Sequence, residues 1–371
     1  MKTRRKLVVF CFCAGGFAFL LITLLSNGSI LGVWKLTSWT RSGNGLSCYR
    51  QLQSINGTAA VKENKLQDCF TGKPERTVSV MDIFRSIHTN WSFNTEEASK
   101  VRSELEESCQ TSNLFITTQE NVKYHGTIRY EGERFWWAFV TSDVYNRLPK
   151  KVPYKKGKFK KCSVVGNGGI LLGSKCGKFI DAADFVIRMN FANVKNYTGD
   201  VGFKTDLVTC NPSQLIKQFS NLNKGGAEKL KNYAMQQYKS ARVYTTPFAY
   251  QVQRNYCFKA QDILKPANIE VVFAHSDHLS SQRRFYGTKK NIKENRVTTG
   301  LLMFTAAISF CEEVHLYGFW PFSEDPDGKT LNYHYYEEQM HAQPVHDMTA
   351  EFKMLVDLHN KGAIRLHVGM C

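Results

Sequence analysis

Hydrophobic and polar positions divide the chain into three zones. The first is a basic tail (Lys2, Arg4, Arg5, Lys6) followed by an apolar run from Leu7 to Leu25, with no further charge before Lys35. At about 1.5 Å per helical residue this run matches the hydrocarbon thickness of a bilayer. It is long for a signal-peptide core, and no small-x-small cleavage site follows it. The pattern predicts a cytoplasmic tail over residues 1–6 and a transmembrane signal-anchor over 7–25, with the basic flank held on the cytoplasmic side. A cleaved signal peptide is the competing reading. The second zone, 26–114, is rich in Ser, Asn, Thr and charge, shows weak apolar periodicity and reads as a stem, with a short polar helix over 97–107. The third, 115–371, opens on the aromatic cluster Phe135, Trp136, Trp137 and Phe139 and reads as one folded, lumenal domain.

Within that domain the pattern alternates. Short β-rich runs occur at 162–165, 185–189, 206–210, 242–246, 270–274, 314–318 and 364–368. Helix-like stretches lie between several of them, at 213–221, 226–239, 300–311 and 349–360. Such alternation predicts an α/β fold with a largely parallel sheet. Ligands of such sheets bind beyond the carboxyl ends of strands, so the informative loops are those that follow the runs.

Charge and cysteines narrow the partners and compartment. A formal net charge of +17 points to anionic ligands: nucleic acid, phospholipid, nucleotide-sugar or acidic glycan. Asn27, Asn56, Asn90 and Asn196 begin N-x-S/T triplets, which suits a lumenal body, with Asn27 too near the anchor for use. Of the 11 cysteines, Cys11 and Cys13 fall in the apolar run. The remaining nine show no zinc-type spacing and read as lumenal disulfides with at least one thiol left over. A lumenal body argues against nucleic acid as a partner.

Several segments carry candidate chemistry. VVGNGGILLGSKCG (164–177) is a strand running into a glycine-rich turn and then a helix. Its Gly166 and Gly168 let a phosphate or ribose approach, or equally make a tight structural turn, and Asn167 adds an amide. The dinucleotide fingerprint fails because Leu171 stands at the third glycine position. Asn190 follows a strand, where a ligand-facing residue or an ordinary turn Asn would sit. Thr298 or Thr299 caps a helix starting near Gly300, a second anion site, with Trp320 and Phe322 beyond the next strand as a platform for a base or as core. The stretch 333–351 holds His334, His341 and His346 beside Glu337, Glu338 and Glu351, which suits acid–base work better than metal ligation. Asp325-Pro326-Asp327 reads as a turn rather than a metal site. Arg147 to Lys161 is basic and free of acids, either a solvated linker or a track for an acidic glycan.

Taken in order, these segments resemble the animal sialyltransferase family, specifically its alpha-2,8 branch, over residues 162–371. CSVVGNGGILLGSKCGKFIDAADFVIRMNFA resembles the large motif and VTTGLLMFTAAISFCEEVHLYGFWPF the small one. YHYYE is similar to the third motif, HDMTAE to the very short H-x-x-x-x-E motif, and LHNKGAIRLHVGMC to the branch's C-terminal pattern. The resemblance implies a glycosyltransferase A-type variant, a single Rossmann-like domain with a seven-stranded, mostly parallel sheet. It implies an inverting, metal-independent Golgi enzyme without cofactor. The donor would be CMP-sialic acid and the acceptor a sialylated glycoprotein or glycolipid, with a homodimer as a candidate assembly. It places Asn167, Asn190, Thr298, Thr299, Gly300 and Trp320 around CMP, His334 on the phosphate and His346 as catalytic base, with Glu351 supporting local structure. It pairs Cys162 with Cys311 and Cys176 with Cys371, and leaves Asn56, Asn90 and Asn196 as glycan acceptors. Met189, Thr298, Cys210 and the spacer EEQMHAQPV depart from the usual pattern, and a Cys210–Cys257 pair is one way to use the unusual cysteine. The Asn-Gly-Gly turn favours the mono- or oligosialylating subgroup, whereas the basic 147–161 segment resembles a polysialylating feature. The alternatives are another linkage or an inactive Golgi glycan-binding protein.

Overall fold

The computed structural model describes residues 6–14, 17–26, 29–39, 80–133, 135–292, 296–338 and 347–371. They divide into two compact units, Met1–Thr77 and Val78–Cys371. In the first, β1 (Lys6–Ala14), β2 (Phe17–Ser26) and β3 (Ser29–Trp39) form an antiparallel sheet in that order. The run expected as one helix over 7–25 is therefore two strands here. Its β-branched and aromatic residues favour a strand, and Gly15 and Gly16 between the strands are poor helix formers. A bilayer would impose helix on such a run, because every backbone group must then bond internally. Among the described residues no helix is long and apolar enough to cross a membrane.

The second unit begins earlier than the sequence pattern indicates. Helices α1 (Val80–Arg85) and α2 (Thr95–Cys109) lie in the span read as stem, yet Ile83, Leu105 and Cys109 are buried in the core. Asn94 caps α2 by accepting from the amides of Glu96 and Glu97. Arg102 donates from its guanidinium to the carbonyls of Ile308, Cys311 and Glu312. The apolar stripe of α2 is narrow, and part of its docking is through Arg102, so a polar composition hides a packed helix. Then come a two-stranded antiparallel hairpin, β4 (Thr127–Arg129) and β5 (Trp137–Phe139), and, further along, the short helices α3 (Ser142–Asn146) and α4 (Pro212–Lys217).

The core is a seven-stranded parallel sheet. Its strands are β6 (Phe159–Val165), β7 (Phe185–Arg188), β8 (Leu207–Thr209), β9 (Arg242–Thr245), β10 (Val271–Phe273), β11 (Cys311–Tyr317) and β12 (Arg365–His367). They lie in the order β10-β9-β8-β7-β6-β11-β12, and each matches one of the β-rich runs. The chain lays strands outward from β6 to β10, then returns to place β11 on the other side of β6. The β6/β11 junction is therefore the topological switch point, where a ligand crevice opens. On one face Val164, Ile187 and Leu316 pack with α7 (Ser276–Lys289), α8 (Thr299–Phe310) and α9 (Met348–Asn360). On the other, Val165, Val186 and Val243 pack with α5 (Lys224–Tyr238) and α6 (Gln251–Leu264). Successive side chains of each strand thus enter opposite cores, as a doubly covered sheet requires. Disulfides join Cys162 to Cys311, across β6 and β11, and Cys176 to Cys371. Cys210 and Cys257 are buried free thiols, so the Cys210–Cys257 pair does not form; burial pushes the Cys257 thiol up to about 12.

Candidate active site

A cavity of about 240 Å³ opens at the switch point. Gly166, Asn167 and Gly168 line it after β6, Met189 and Asn190 after β7, Asn211 after β8, and Gly318 to Pro321 after β11. Thr298, Thr299 and Gly300 at the start of α8 complete it, with Tyr333, His334 and Glu351.

The glycine turn after β6 works by close packing. A Cβ on Gly166 or on Gly168 would come within 2.7 Å of the Gly318 carbonyl oxygen, and one on Gly169 within 2.1 Å of the Asn332 carbonyl oxygen. The turn is therefore clamped between the β11 loop and the 331–335 segment. A 3-10 turn, Gly169–Leu171, follows it directly, and the helix expected after the turn is one short element, Gly177–Asp181, beyond Gly173 at φ +80°. No long helix dipole acts there; the turn offers backbone and Asn167. The Asn167 side-chain N–H₂ donates to the Met189 carbonyl (3.3 Å) and the Tyr336 hydroxyl (3.4 Å), and the Asn167 backbone carbonyl accepts from the Tyr335 N–H at 3.0 Å.

Asn190 and Phe191 both adopt left-handed backbone, φ +52° and +49°, an uncommon conformation for residues other than glycine. Neighbouring strands hold it: Asn190 N–H donates to Thr209 Oγ1 at 2.9 Å and Phe191 N–H to the Thr209 carbonyl at 3.1 Å. The Asn190 side-chain carbonyl accepts from Asn211 N–H at 3.3 Å and the Thr209 hydroxyl at 3.4 Å, which leaves its N–H₂ as the donor for a ligand. Beneath it the buried Arg188 guanidinium donates to the Lys204 carbonyl and Thr205 hydroxyl; burial pulls its pKa down.

Thr298 caps α8 by accepting from Leu301 N–H at 3.1 Å. Glu351, buried in the first turn of α9, accepts from Thr298 N–H at 2.8 Å and from the Thr298 hydroxyl. Burial raises the Glu351 carboxyl to about 7, against the pull of those two bonds. Thr299 Oγ1 accepts from the Asn211 amide at 3.1 Å. A Cβ on Gly300 would meet the Phe319 ring at 2.9 Å, so a glycine here lets that ring close on the helix start. Trp320 lines the cavity but is chiefly core: it stands edge-on to Phe322 and Phe352 and donates from Nε1 to the Glu324 carbonyl at 2.8 Å.

His334 is set by a backbone bridge to Gly168. Its Nδ1 lies 2.7 Å from a Glu337 carboxylate oxygen, and its ring stacks on Tyr336. Nδ1–H donating to that carboxylate leaves Nε2 for a ligand. His341 and His346 lie outside the described residues, as do Asn27, Asn56, Cys48 and Cys69. Met348, two positions after His346, lines the cavity. Asn90 and Asn196 are exposed. Asp325 is held in its turn, accepting from the amides of Asp327 and Lys329. Among the described residues no group of three or more His, Cys, Asp or Glu is arranged to hold a metal ion.

The sequence does not single out Asn211 or Phe319, and it places Glu337 beside the histidines without assigning it to His334. Asn211 precedes Pro212 and reads as the cap of a helix, and its contacts with Asn190 and Thr299 appear only once the strands are paired. A second cavity, about 200 Å³, shares Asn211 and Thr299 with the first. There buried Glu131 pairs with Arg283 at 3.1 Å and with Arg296.

The glycosyltransferase family 29 (sialyltransferase) profile matches residues 116–363. The alpha-2,8-sialyltransferase 8E of Rattus norvegicus is 38% identical over 285 residues, 76% of this chain and 75% of that protein. The alpha-N-acetylneuraminide alpha-2,8-sialyltransferase of Xenopus laevis is 36% identical over 284 residues, 76% and 78% of the two chains. The crystal structure of a mammalian sialyltransferase aligns over 78% of this chain and 85% of its own, at 19% identity and a TM-score of 0.40. On the extent of the profile match and of these relatives, the chain belongs to glycosyltransferase family 29, the sialyltransferases.

Proposed function

We propose that the chain transfers sialic acid from CMP-sialic acid to the 8-hydroxyl of a terminal sialic acid on a glycoprotein or glycolipid, with inversion and without a metal. One observation carries the reading. Asn167, Asn190, the Thr298–Gly300 helix start and His334 converge on a single cavity at the switch point, in a chain whose relatives are named alpha-2,8-sialyltransferases.

The chemistry follows from what leaves and what attacks. The acceptor O8 attacks C2 of the donor sugar as the C2–O bond to CMP breaks, and the electron pair departs with the phosphate. Donors must meet the growing negative charge. The amide of Asn190, the α8 start and Nε2 of His334, backed by Glu337, suit that role. The hydroxyl proton needs a base, and His346 takes it. Donor and acceptor are both anionic, which suits the charge of +17. The acceptor approaches from the second cavity, past Arg283. The apolar run 7–25 spans the Golgi membrane as a helix, with the cavity-bearing unit in the lumen and glycans on Asn56, Asn90 and Asn196.

The test is transfer by the whole chain, solubilised from membranes, from CMP-sialic acid to a panel of sialylated glycolipids and glycoproteins in EDTA, with product linkage and length analysed. Transfer to O8 by the native chain and its loss in His346→Ala, with CMP still bound, is the expected result. Absence of transfer to every acceptor despite CMP binding would favour an inactive glycan-binding protein.

A further inference from the structure

The β4–β5 hairpin has two unlike faces. Ile128 and Ala138 form one cross-strand pair, and both are buried. The residues on either side point the other way: Phe139 is 70% exposed, Trp137 50%, and Phe135, before β5, 78%. Trp136, between them in sequence, is also exposed, at 57%. Period-2 alternation therefore puts three large aromatics in a row on a face the unit leaves bare, where a soluble surface would place polar side chains.

The hairpin is firmly held. Glu131 and Gly132 donate their N–H groups to the carbonyls of Phe248 and Ala249, both at 2.9 Å, and a Cβ on Gly132 would run into the Tyr250 ring. Its charged neighbours are mainly cationic. Arg129 pairs across the strands with Trp137 and is exposed, as is Lys123. Gln119 and Glu120 donate backbone N–H to the carbonyls of Pro149 and Lys150, which sets exposed Lys150 and Lys151 beside the segment leading into the hairpin. The nearby acids are largely engaged: Glu131 is buried and ion-paired, Glu133 accepts from Gln251 N–H, and Asp143 pairs with Arg147, leaving Glu120 exposed.

We infer that this aromatic face docks on a bilayer surface bearing acidic headgroups. Trp and Phe beside Arg and Lys suit the interface, where rings enter the acyl boundary and cations meet headgroup anions. A second copy fits less well, because a two-fold contact would bring Arg129 and Lys123 towards their own equivalents in a chain of net charge +17. Glu131, in the hairpin turn, lines the second cavity beside the active site. Docking would therefore hold that cavity close to the membrane, ready for an acceptor carried by a lipid. The inference rests on the hairpin and stands apart from the proposed reaction.

The test uses the whole chain in nanodiscs whose lipids carry brominated acyl chains, neutral or one-fifth phosphatidylserine. Intrinsic fluorescence is compared between the native chain and Trp136→Phe/Trp137→Phe, which keeps the rings and removes two indoles. We expect these indoles to be quenched in the acidic discs, at least about twofold more than in neutral ones, and Arg129→Glu to remove the difference. Quenching equal in both discs, or absent from this pair, would overturn the inference. Absence together with a cross-linked dimer that Phe135→Ser/Phe139→Ser abolishes would assign the face to a second copy instead. CMP binding by the same samples reports separately on the active site: its loss with hairpin quenching intact would count against the reaction and not against the docking.

Discussion

Thr298 offers Glu351 two hydrogen bonds while its own hydroxyl oxygen caps α8, so one buried carboxyl secures the helix start that faces the donor. Burial raises that carboxyl to about 7. The folded chain then holds a proton that the unfolded chain releases near 4.5, and this stabilisation, full at lower pH, is lost as pH rises towards 7. Glu351→Ala removes both acceptors. The two hydrogen bonds contribute about 0.5–1.5 kcal/mol each, so CMP affinity should fall roughly five- to a hundredfold. Glu351→Gln keeps a carbonyl for Thr298 N–H and offers its amide to Thr298 Oγ1, and should lose far less. Calorimetric titration with CMP separates the two; equal affinity for the native and Ala chains would refute the role. Arg283→Ala acts on the other cavity. It should raise the acceptor KM about tenfold and leave CMP affinity unchanged, whereas a change in CMP affinity alone would show that Arg283 serves the donor side.

At the scale of elements, the disulfides differ in what they hold. Cys162–Cys311 ties adjacent strands at the core, with Cα atoms 6.0 Å apart. Cys176–Cys371 fastens the C-terminus to the segment after the glycine turn, where Cys371 N–H also donates to the Ser174 carbonyl at 2.9 Å. Each closes a long loop, of 149 and 195 residues, and removing either should cost about 2–5 kcal/mol. Urea unfolding of Cys162→Ser/Cys311→Ser and of Cys176→Ser/Cys371→Ser measures this, and only the second pair should also weaken CMP binding. The strands were legible because each is a compact apolar or β-branched run after turn residues. Helices α6 and α7 were not: SDHLSSQRRFYGTK in α7 is too polar to show a stripe, although Phe285 and Tyr286 are buried. In the site, Asn167, Asn190 and Thr298–Gly300 are candidates because they follow strands or start a helix, and His334 because it lies in a histidine-rich stretch. Asn211 and Glu337 depend on contacts that only the folded sheet and the His334 turn create.

For the whole molecule, acid sensitivity is set chiefly by buried histidines that do not line the active-site cavity. His315 and His367 sit on β11 and β12, with His315 Nδ1 and His367 Nε2 2.9 Å apart and His315 Nε2 against Glu313. Tyr317 stacks on His367, and Lys161 and Arg365 lie close enough to oppose a further positive charge. Burial first, then these cations, lowers His315 to about 3, and burial with His315 and Arg365 lowers His367 to about 2. His278, buried against Thr111 and Gln282, is lowered to about 3. Unfolded, each takes a proton near pH 6.5, so between about 6.5 and 3 the unfolded chain binds more protons and stability falls with pH. Three such groups give at most roughly 4 kcal/mol per pH unit. Glu351 and Asp206, both raised by burial, oppose them, so the observed slope should be smaller. Urea midpoints from pH 7 to 5 should fall steadily. His315→Gln/His367→Gln should flatten the fall by up to two protons, whatever its effect at pH 7. An unchanged slope in that variant would mean the pair is already protonated in the folded chain, and that Glu313 and the β12 edge accommodate the charge.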